Sequence, residues 1–301
     1  MIKKSDKVLI AGCGGMLGEA VYGLFKDSCE VYASDIDVNE SWLTYLDVSS
    51  WNEVSEACKK ISPNYIINLA AKTDMEYCES NPKETYDTNT FGSYNLMEQA
   101  RLRNIPYLYV CTAGIFDGKK EQYDENDIPN PLSVYGKSKF GGELAAKSYD
   151  KSIVVRAGWM MGGGPKKDKK FINKIIKQIK AGKKELSVVD DKLGTPCYTY
   201  DLAKIIKHLL ENKLYGVYHG VCEGISGSRY EVAKYLLNVL KLDGKISIKA
   251  VDSKHFKSEY YAPRPASEKM INLMLKKKGI TITRDWHDCL KEYVAKFDWE
   301  L

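Results

Sequence analysis

The sequence lacks any apolar run long enough to cross a membrane, which takes about 20 residues in helical form. Near the N-terminus, an apolar run extends only from Val8 to Ala11, which is too short for the core of a secretory signal peptide. Low-complexity tracts typical of disordered chains are also missing. We therefore expect a folded cytoplasmic protein that does not associate with a membrane.

The eight cysteines form no Cys-x-x-Cys pair and no cluster with histidine at the spacing of zinc ligands. The chain also has no strong charge imbalance, because it contains 45 Lys and Arg residues and 40 Asp and Glu residues. The resulting net charge of +5 is scattered along the chain and forms no basic tail of the kind that binds nucleic acid. These features predict a reduced protein with no metal site and no nucleic-acid partner.

The 301 residues do contain a regular alternation of apolar runs and amphipathic segments. Runs rich in β-branched and aromatic residues predict strands at 7–12, 30–35, 65–71, 107–112 and 152–158. Amphipathic segments predict helices between them at 17–26, 51–61, 84–103 and 132–147. The strands are apolar throughout, as is typical of strands buried on both faces. We therefore predict an α/β fold with a Rossmann-like, doubly wound parallel sheet.

The pattern changes after residue 158, where strands become shorter. Strands are predicted at 186–189, 216–221 and 245–251, and helices at 171–180, 198–211, 228–240, 267–278 and 286–297. We divide the chain into a Rossmann domain at residues 1–158 and a smaller C-terminal α/β lobe at residues 159–301. Because no clean linker separates them, segments of the second part can return to the first domain.

A glycine-rich turn follows the first predicted strand and carries Gly12, Gly15 and Gly18. Such glycines let a pyrophosphate approach the backbone N–H groups at the positive end of the following helix. The spacing departs from G-x-G-x-x-G, because Leu17 stands where the third glycine of that pattern would be. By itself the turn is weak support for dinucleotide binding, since glycines also simply end strands.

Asp35 ends the second predicted strand, about 20 residues beyond the turn, where a carboxylate can accept hydrogen bonds from an adenosine ribose. Residues 33–40 include no Arg or Lys that would pair with a 2′-phosphate, so NADH is slightly favoured over NADPH as the cofactor. Asp47 and Val48 follow a third short strand and are placed to flank the adenine. For Asp47, an ordinary helix-starting role is the alternative.

Tyr135 and Lys139 lie four residues apart on a predicted helix and so share one face. A neighbouring ammonium group stabilises a phenolate and lowers the pKa of a tyrosine, which suits proton transfer to a carbonyl oxygen. Only this pair follows a strand that ends in a hydroxyl residue, Thr112, beyond the edge where open α/β sheets bind ligands. Three further Tyr-x-x-x-Lys pairs begin at Tyr22, Tyr200 and Tyr230.

Motifs along nearly the whole chain resemble those of the extended short-chain dehydrogenase/reductases, and within them the dTDP-4-dehydrorhamnose reductase family. The motifs are Gly12-x-x-Gly15-x-x-Gly18, Asn68-Leu-Ala-Ala-Lys-Thr73, Tyr135-Gly-Lys-Ser-Lys139, Arg156-Ala-Gly-Trp159, Asp201-Leu-Ala203 and Arg264-Pro-Ala-Ser267. The resemblance implies reduction of the 4-keto group of a 4-keto-6-deoxy nucleotide sugar for surface polysaccharide precursor synthesis.

The resemblance also implies roles for individual residues. Tyr135 would protonate the keto oxygen, Lys139 would hold the ribose, and Thr112 would orient the carbonyl. The cofactor contacts would be Gly12, Gly15, Met16, Leu17, Gly18, Asp35, Asp47, Ala70, Ala71, Tyr135 and Lys139, with Val48 added from its position. The substrate contacts would be Thr73, Met75, Thr112, Trp159 and Arg264, whose charge suits a diphosphate. A core position is the alternative for Trp159.

Several residues depart from the pattern of the family. Ala113 and Gly114 stand where the family has an acidic residue and a tyrosine, and Lys72 replaces an aromatic residue. The loop at 162–170 is rich in glycine and lysine, and we predict a solvated loop there. Closure of this loop over a phosphate-bearing substrate is the alternative.

Two other functions fit the same fold. A nucleotide-sugar epimerase or dehydratase would recycle bound NAD, although Ala113 and Gly114 lack the Asp-Glu pair that dehydratases of this group use. A non-catalytic dinucleotide-binding protein, like the regulatory subunit of methionine adenosyltransferase, is the second alternative. A homodimer also remains open at this point.

Overall fold

The computed structural model describes residues 1–225 and 227–300. The strands are β1 Lys7–Ala11, β2 Glu30–Asp35, β3 Thr44–Tyr45, β4 Tyr65–Asn68, β5 Tyr107–Thr112, β6 Ser152–Ala157, β7 Trp159–Met161, β8 Glu185–Val189, β9 Leu193–Gly194, β10 Pro196–Tyr198, β11 Gly216–Gly220, β12 Gly227–Ser228, β13 Ser247–Val251 and β14 Ser267–Glu268. The helices are α1 Met16–Phe25, α2 Trp51–Ile61, α3 Met75–Ser80, α4 Pro82–Tyr86, α5 Gly92–Leu102, α6 Val134–Lys147, α7 Gly164–Lys167, α8 Phe171–Lys180, α9 Thr199–Glu211, α10 Arg229–Val239, α11 Leu273–Lys277 and α12 Trp286–Lys296.

The central sheet has seven parallel strands in the order β11-β6-β5-β4-β1-β2-β3, which confirms the predicted Rossmann-like fold. The chain first builds outward from β1 to β3 and then returns to the other side of β1 to add β4, β5 and β6. Open α/β sheets bind ligands outside the carboxyl ends of their strands, where this order reverses. Here that point lies between β1 and β4.

Two apolar layers cover the sheet, which explains why its central strands are apolar on both faces. On one face, Val8 and Ile10 of β1 pack in a cluster with residues of α1 and α9. On the other face, Leu9 packs in a cluster that includes residues of α2 and α5. The bounds predicted for β2 and β5 agree with the structure, whereas the strand predicted at 65–71 already ends at Asn68.

The strand predicted at 216–221 does not lie in the C-terminal lobe but extends the central sheet as β11, paired in parallel with β6. Helix α9 makes the crossover, and its buried face packs on α1. Because β11 is buried along its second half, it has the same apolar character as the strands of the first domain. The division of the chain at residue 158 stays a prediction.

The remaining C-terminal segments form a separate apolar cluster around α8, α10 and α12. Small sheets join β7 with β10, β8 with β13, and β9 with β12 and β14. The helix predicted at 267–278 is wrong at its start, because residues 267–268 form β14 and the helix begins only at Leu273. Backbone pairing of β14 with β9 overrides the local helical pattern.

The single helix predicted at 84–103 is also interrupted. A π-helical turn at Asp87–Phe91 separates α4 from α5. Inside this turn, the Asn89 side chain accepts a hydrogen bond from the Lys72 backbone N–H at 2.8 Å and donates to the Ser138 hydroxyl at 2.9 Å. Such turns are frequent at functional sites, and this one links β4 and α6. Among the described residues, no helix is long and apolar enough to span a membrane.

Candidate active site

The glycine-rich turn lies at the carboxyl end of β1, and its three predicted glycines serve different purposes. Gly12 has a φ of +76°, and a β-carbon there would clash with the Ala70 backbone. A β-carbon on Gly18 would clash with the Cys13 backbone, so this glycine lets α1 approach β1. Gly15 is different, because the nearest atom to its added β-carbon is 3.8 Å away. The N-terminus of α1 is therefore left open beside Gly15.

Asp35 ends β2 beside this turn, as predicted, but it also shapes the turn. One carboxylate oxygen accepts a hydrogen bond from the Gly14 N–H at 2.9 Å, and the other accepts one from the Asp37 N–H at 3.0 Å. Each oxygen can still accept another hydrogen bond. Gly14 therefore has a contact with Asp35 that the glycine spacing alone did not predict.

The other predicted cofactor residues surround the same edge of the sheet. Met16 and Leu17 begin α1 and are buried. Ala70 and Ala71 follow β4 and are half-buried. Val48 is buried after β3, where its backbone carbonyl accepts a hydrogen bond from Asn95. The Asp47 carboxylate accepts hydrogen bonds from the N–H and hydroxyl of Ser49, whereas the N-cap of α2 is Ser50, so Asp47 does not cap this helix.

The loop at 162–170 is only partly the solvated loop that we predicted, since Pro165, Lys166 and Lys169 are exposed but the rest is shielded. Its glycines at 162–164 are buried and have positive φ angles, and Gly163 lies against Met16 at the start of α1. The Lys167 side chain is only 9% exposed, and its Nζ lies 3.1 Å from the Glu40 carboxylate. The glycines explain the shielding, because their positive φ angles let this loop pack closely against the glycine-rich turn.

The predicted acid–base group forms at the carboxyl end of β5. Thr112 Oγ1 and Tyr135 Cε1 lie 3.5 and 3.6 Å from the point that a β-carbon on Gly114 would occupy. Tyr135 is held there because α6 packs tightly on this segment, where a β-carbon on Gly136 would clash with the Gly114 carbonyl. The first turn of α6 is capped by the Ser133 hydroxyl, which accepts a hydrogen bond from the Gly136 N–H at 3.0 Å.

The protonation of this group differs from the prediction that Lys139 lowers the pKa of Tyr135. Burial raises the pKa of Tyr135 above its usual value, and the Thr112 hydroxyl opposes the shift by hydrogen bonding. The Lys139 ammonium instead donates to the Val110 carbonyl at 2.8 Å and lies 4.3 Å from the centre of the Tyr109 ring. Burial lowers the pKa of Lys139 to about 8.

A buried ion pair joins β6 to α6. The guanidinium of Arg156 donates to both carboxylate oxygens of Glu143, at 2.6 and 3.0 Å, and both side chains are fully shielded. Nε2 of His219 lies 3.4 Å from Arg156, and burial lowers the pKa of His219 to about 3, so this imidazole stays neutral. Of these residues, Arg156 lies in a motif that carries the family resemblance, and all three support the packing of β6 and α6.

The predicted substrate residues lie on the side of the site that faces the C-terminal lobe. The Trp159 indole N–H donates to the Glu268 carboxylate at 2.7 Å. Thr73 is exposed and Met75 half-buried at the start of α3. Arg264 is paired with Glu76, with nitrogen–oxygen distances of 2.8 and 3.0 Å. The structure therefore places Trp159 beside the acid–base group, while the Arg264 charge is already balanced.

Comparison with known proteins agrees with this geometry. The family described as RmlD substrate binding domain matches residues 6–299. This chain belongs to that family. The Bacillus subtilis spore coat polysaccharide biosynthesis protein SpsK is 30% identical over 293 residues, which cover 96% of this chain and 97% of that protein. A dTDP-4-dehydrorhamnose reductase of Aggregatibacter actinomycetemcomitans is 34% identical over 221 residues, which cover 71% of this chain and 72% of that protein.

Solved structures of RmlD-family relatives have the same fold. A Clostridium acetobutylicum dTDP-4-dehydrorhamnose reductase superposes with a TM-score of 0.88 at 31% identity, covering 96% of this chain and 99% of its own. The Bacillus anthracis dTDP-4-dehydrorhamnose reductase in complex with NADP superposes with a TM-score of 0.87 at 28% identity, covering 97% of this chain and 100% of its own.

A sequence relative with a different name is methionine adenosyltransferase 2 subunit beta of Xenopus tropicalis. It is 28% identical over 220 residues, which cover 71% of this chain and 66% of that protein.

In this RmlD-family chain, two side chains near the site were missed by sequence reasoning. Oε1 of Glu268 lies 3.5 Å from the point above Gly114 where Thr112 and Tyr135 converge. The Arg229 guanidinium carbon lies 4.3 Å from the centre of the Trp159 ring. No local pattern marks them, although an acidic residue following the Arg264-Pro-Ala-Ser267 motif could have drawn attention to Glu268.

Metal ligation is not supported by any grouping in the described part of the chain, where no three His, Cys, Asp or Glu side chains are arranged to hold an ion. The eight cysteines are all free and buried.

Proposed function

We propose that this chain is an NAD(P)H-dependent reductase of a 4-keto-6-deoxy nucleotide sugar, acting in the synthesis of polysaccharide precursors. The observation that carries the proposal is the convergence of Thr112 and Tyr135 on one point above Gly114, beside the glycine-rich turn. A hydroxyl that orients a carbonyl and a phenol that protonates it are the groups that ketone reduction needs. Reductases among the relatives, including one in complex with NADP, support the same activity.

The residues at the switch point fit a dinucleotide. The open N-terminus of α1 at Gly15 offers backbone N–H groups and the positive end of a helix dipole to a pyrophosphate. Asp35 has acceptor capacity left for a ribose hydroxyl after its two backbone hydrogen bonds. We assign Gly12, Gly15, Met16, Leu17 and Gly18 to the pyrophosphate side. Asp47, Val48, Ala70 and Ala71 are assigned to the adenosine side.

The protein's part in the chemistry is to place the carbonyl and deliver a proton. When bound, the reduced nicotinamide supplies the hydride for the keto carbon. Thr112 donates a hydrogen bond to the keto oxygen, and Tyr135 transfers its phenolic proton to that oxygen as negative charge develops there. Because burial raises the pKa of Tyr135, the phenol stays protonated at neutral pH and is ready to act as an acid.

Lys139 contributes positive charge close to Tyr135. Its ammonium is fixed by the Val110 carbonyl and retains two further donors for a ribose hydroxyl or water. Because burial rather than Lys139 dominates the pKa of Tyr135, we assign this ammonium to the ribose of the cofactor. Lys139 therefore supports cofactor binding.

Asp35 and Glu40 make the adenosine side more suitable for NADH than for NADPH. A 2′-phosphate would face the Asp35 carboxylate, and the nearby Lys167 is already paired with Glu40. Residues 33–40 contain no cation, but Lys167 from the C-terminal part of the chain places one near the turn. The carboxylates still outnumber it, so we propose a modest preference for NADH.

The sugar would lie over Gly114, between Tyr135 and Trp159, with Thr73 and Met75 along its edge. Gly114 leaves space there that a larger side chain would fill, and Glu268 faces that space. A carboxylate accepts hydrogen bonds from sugar hydroxyls, so Glu268 joins the proposed substrate contacts. Arg264 is assigned to the nucleotide end of the substrate.

The two alternative functions predict different fates of the hydride. An epimerase returns it to the sugar without net oxidation of cofactor, and a regulatory subunit transfers none. We would incubate the protein with a 4-keto-6-deoxy nucleotide sugar and NADH deuterated at the transferred position. A reductase leaves deuterium on carbon 4 of the product, with one NAD⁺ formed for each sugar reduced. Unlabelled sugar together with unchanged NADH would refute the proposal.

The proposal also covers the location of the enzyme, the role of its C-terminal part and its oligomeric state. We propose a cytoplasmic enzyme that acts on small molecules rather than nucleic acid, with residues 159–301 supplying most substrate contacts. We also propose a homodimer, for which light scattering during gel filtration would give about twice the 34.0 kDa chain mass. A particle of one chain mass at micromolar concentration would refute the dimer without affecting the proposed reaction.

A further inference from the structure

Arg229, the first residue of α10, contacts two aromatic rings. Its guanidinium carbon lies 4.3 Å from the centre of the Trp159 ring and 5.1 Å from the centre of the Phe171 ring. Aromatic rings at these distances attract a guanidinium, whose N–H groups can still donate to a ligand. Arg229 is therefore held next to Trp159, a residue that we assign to the sugar site.

The guanidinium of Arg229 has no hydrogen-bond acceptor and no carboxylate within ion-pair distance in residues 1–225 and 227–300. The carboxylate that most affects the pKa of Arg229 is Glu268, which accepts a hydrogen bond from the Trp159 indole N–H. Arg229 is half-buried, and burial lowers its pKa while the charge of Glu268 opposes the shift. Its N–H donors are therefore free to bind an anionic ligand that supplies acceptors.

A second cation points to the same region. The Nζ of Lys170 donates to the backbone carbonyl and the hydroxyl of Thr73, at 3.1 and 3.2 Å. Burial, followed by the charges of Lys174 and Arg229, lowers the pKa of Lys170, with Asp74 and Asp168 opposing the shift. Lys170 directly precedes Phe171, whose ring centre lies 5.1 Å from the Arg229 guanidinium carbon, so the two cations lie in the same region. Neither is neutralised by a carboxylate at contact distance among the described side chains.

Arg264 provides a contrast within the same region. Both of its terminal nitrogens contact the Glu76 carboxylate, so its charge is balanced in the protein itself. The charge that remains for an anionic ligand belongs to Arg229 and Lys170. This difference could not be seen in the sequence, where Arg264 was the predicted diphosphate contact.

We propose that Arg229, together with Lys170, binds the diphosphate of the nucleotide-sugar substrate. This inference rests on the proposed function and names the residues that hold its substrate. The planar fork of a guanidinium donates two parallel hydrogen bonds to phosphate oxygens, and the ammonium of Lys170 adds a second positive charge. Trp159 then lies between the proposed diphosphate and sugar contacts, because its ring contacts Arg229 and its N–H donates to Glu268.

The test is calorimetric titration of the NADH-loaded protein with dTDP and, separately, with thymidine. We expect Arg229→Gln to weaken dTDP binding about 10-fold or more while the affinity for thymidine changes little. Arg229→Lys keeps the charge but loses the fork, so an intermediate loss is expected. Arg101→Gln, an exposed arginine on α5 far along the chain, is the matched control and should bind dTDP like the wild type.

NADH titration of each variant reports whether the protein still folds around its cofactor. Equal dTDP affinity of wild type and Arg229→Gln, or an equal loss for dTDP and thymidine, would overturn the assignment of the diphosphate to Arg229. The proposed reaction would survive that result if the wild type still reduced its substrate. A wild-type protein that transfers no deuterium to a nucleotide sugar would instead overturn the proposed function itself.

Discussion

The ammonium group of Lys139 donates a hydrogen bond to the backbone carbonyl of Val110 on the adjacent strand, at 2.8 Å. This contact places a positive charge in a buried position, 4.3 Å from the centre of the Tyr109 ring. Burial lowers the pKa of Lys139 from 10.5 to about 8, so the folded protein holds this proton less tightly than the unfolded chain does. The charge that serves the site therefore weakens the fold.

Replacing Lys139 by methionine should stabilise the protein and inactivate it. Between pH 8 and 10.5 the unfolded wild-type chain binds more protons at this position, so the contribution of Lys139 to stability rises with pH. At pH 7 we expect Lys139→Met to unfold with a free energy about 2 kcal/mol higher than the wild type. Urea denaturation at pH 7 and pH 10 measures this gap, which should shrink at the higher pH. A variant less stable at pH 7 would contradict the account.

Tyr135→Phe removes the proton donor and little else. We expect turnover to fall at least about 100-fold, because the keto oxygen then has no acid to protonate it. NADH affinity, measured by fluorescence titration, should stay within about two-fold of wild type. Tyr230→Phe is the matched control, since Tyr230 begins another Tyr-x-x-x-Lys pair and lies on α10. Activity in Tyr135→Phe close to that of this control would remove Tyr135 from the mechanism.

Glu268→Gln should weaken substrate binding more than turnover. In the wild type one carboxylate oxygen accepts the Trp159 N–H, and the other lies 3.5 Å from the point above Gly114. The glutamine can still accept the Trp159 N–H but no longer offers a charged acceptor to a sugar hydroxyl, so we expect KM to rise about 5-fold, with little change in kcat. An unchanged KM would show that Glu268 does not contact the sugar.

Asp35→Asn tests how the cofactor is chosen. The amide oxygen can still accept the Gly14 N–H, whereas the amide NH2 cannot accept the Asp37 N–H, and the repulsion of a 2′-phosphate is lost. We expect the ratio of NADPH to NADH affinity to rise about 10-fold, mainly because NADPH binds more tightly. Equal changes for the two cofactors would mean that Asp35 shapes the turn without reading the ribose.

Local and periodic features of the sequence predicted the central sheet and its active edge. The β-branched run that forms β5 is buried on both faces, and Thr112 at its end marks the edge where ligands bind. The glycines before α1 also predicted a tight turn, because close backbone contacts at Gly12 and Gly18 exclude larger side chains. These features are encoded by neighbours in the chain, so they can be recognised without a structure.

The features that sequence reasoning missed depend on contacts between distant segments. Lys167 reaches the cofactor turn only because the glycines before it lie flat against Met16. Arg229 is noticed only when Trp159 and Phe171 are seen on either side of it. The start of the helix predicted at 267–278 failed for a related reason, because pairing with β9 overrides the local pattern there. Such tertiary contacts produce no periodic pattern of residues in the sequence.

The most direct test of the central claim follows the absorbance of reduced nicotinamide in the presence of purified protein. NADH and NADPH would be supplied separately with a small panel of 4-keto-6-deoxy nucleotide sugars that includes dTDP-4-dehydrorhamnose. We predict oxidation with at least one sugar, faster with NADH, and one equivalent of cofactor consumed for each sugar. Failure to oxidise either cofactor with every sugar, in a protein that still binds the dinucleotide, would contradict the account.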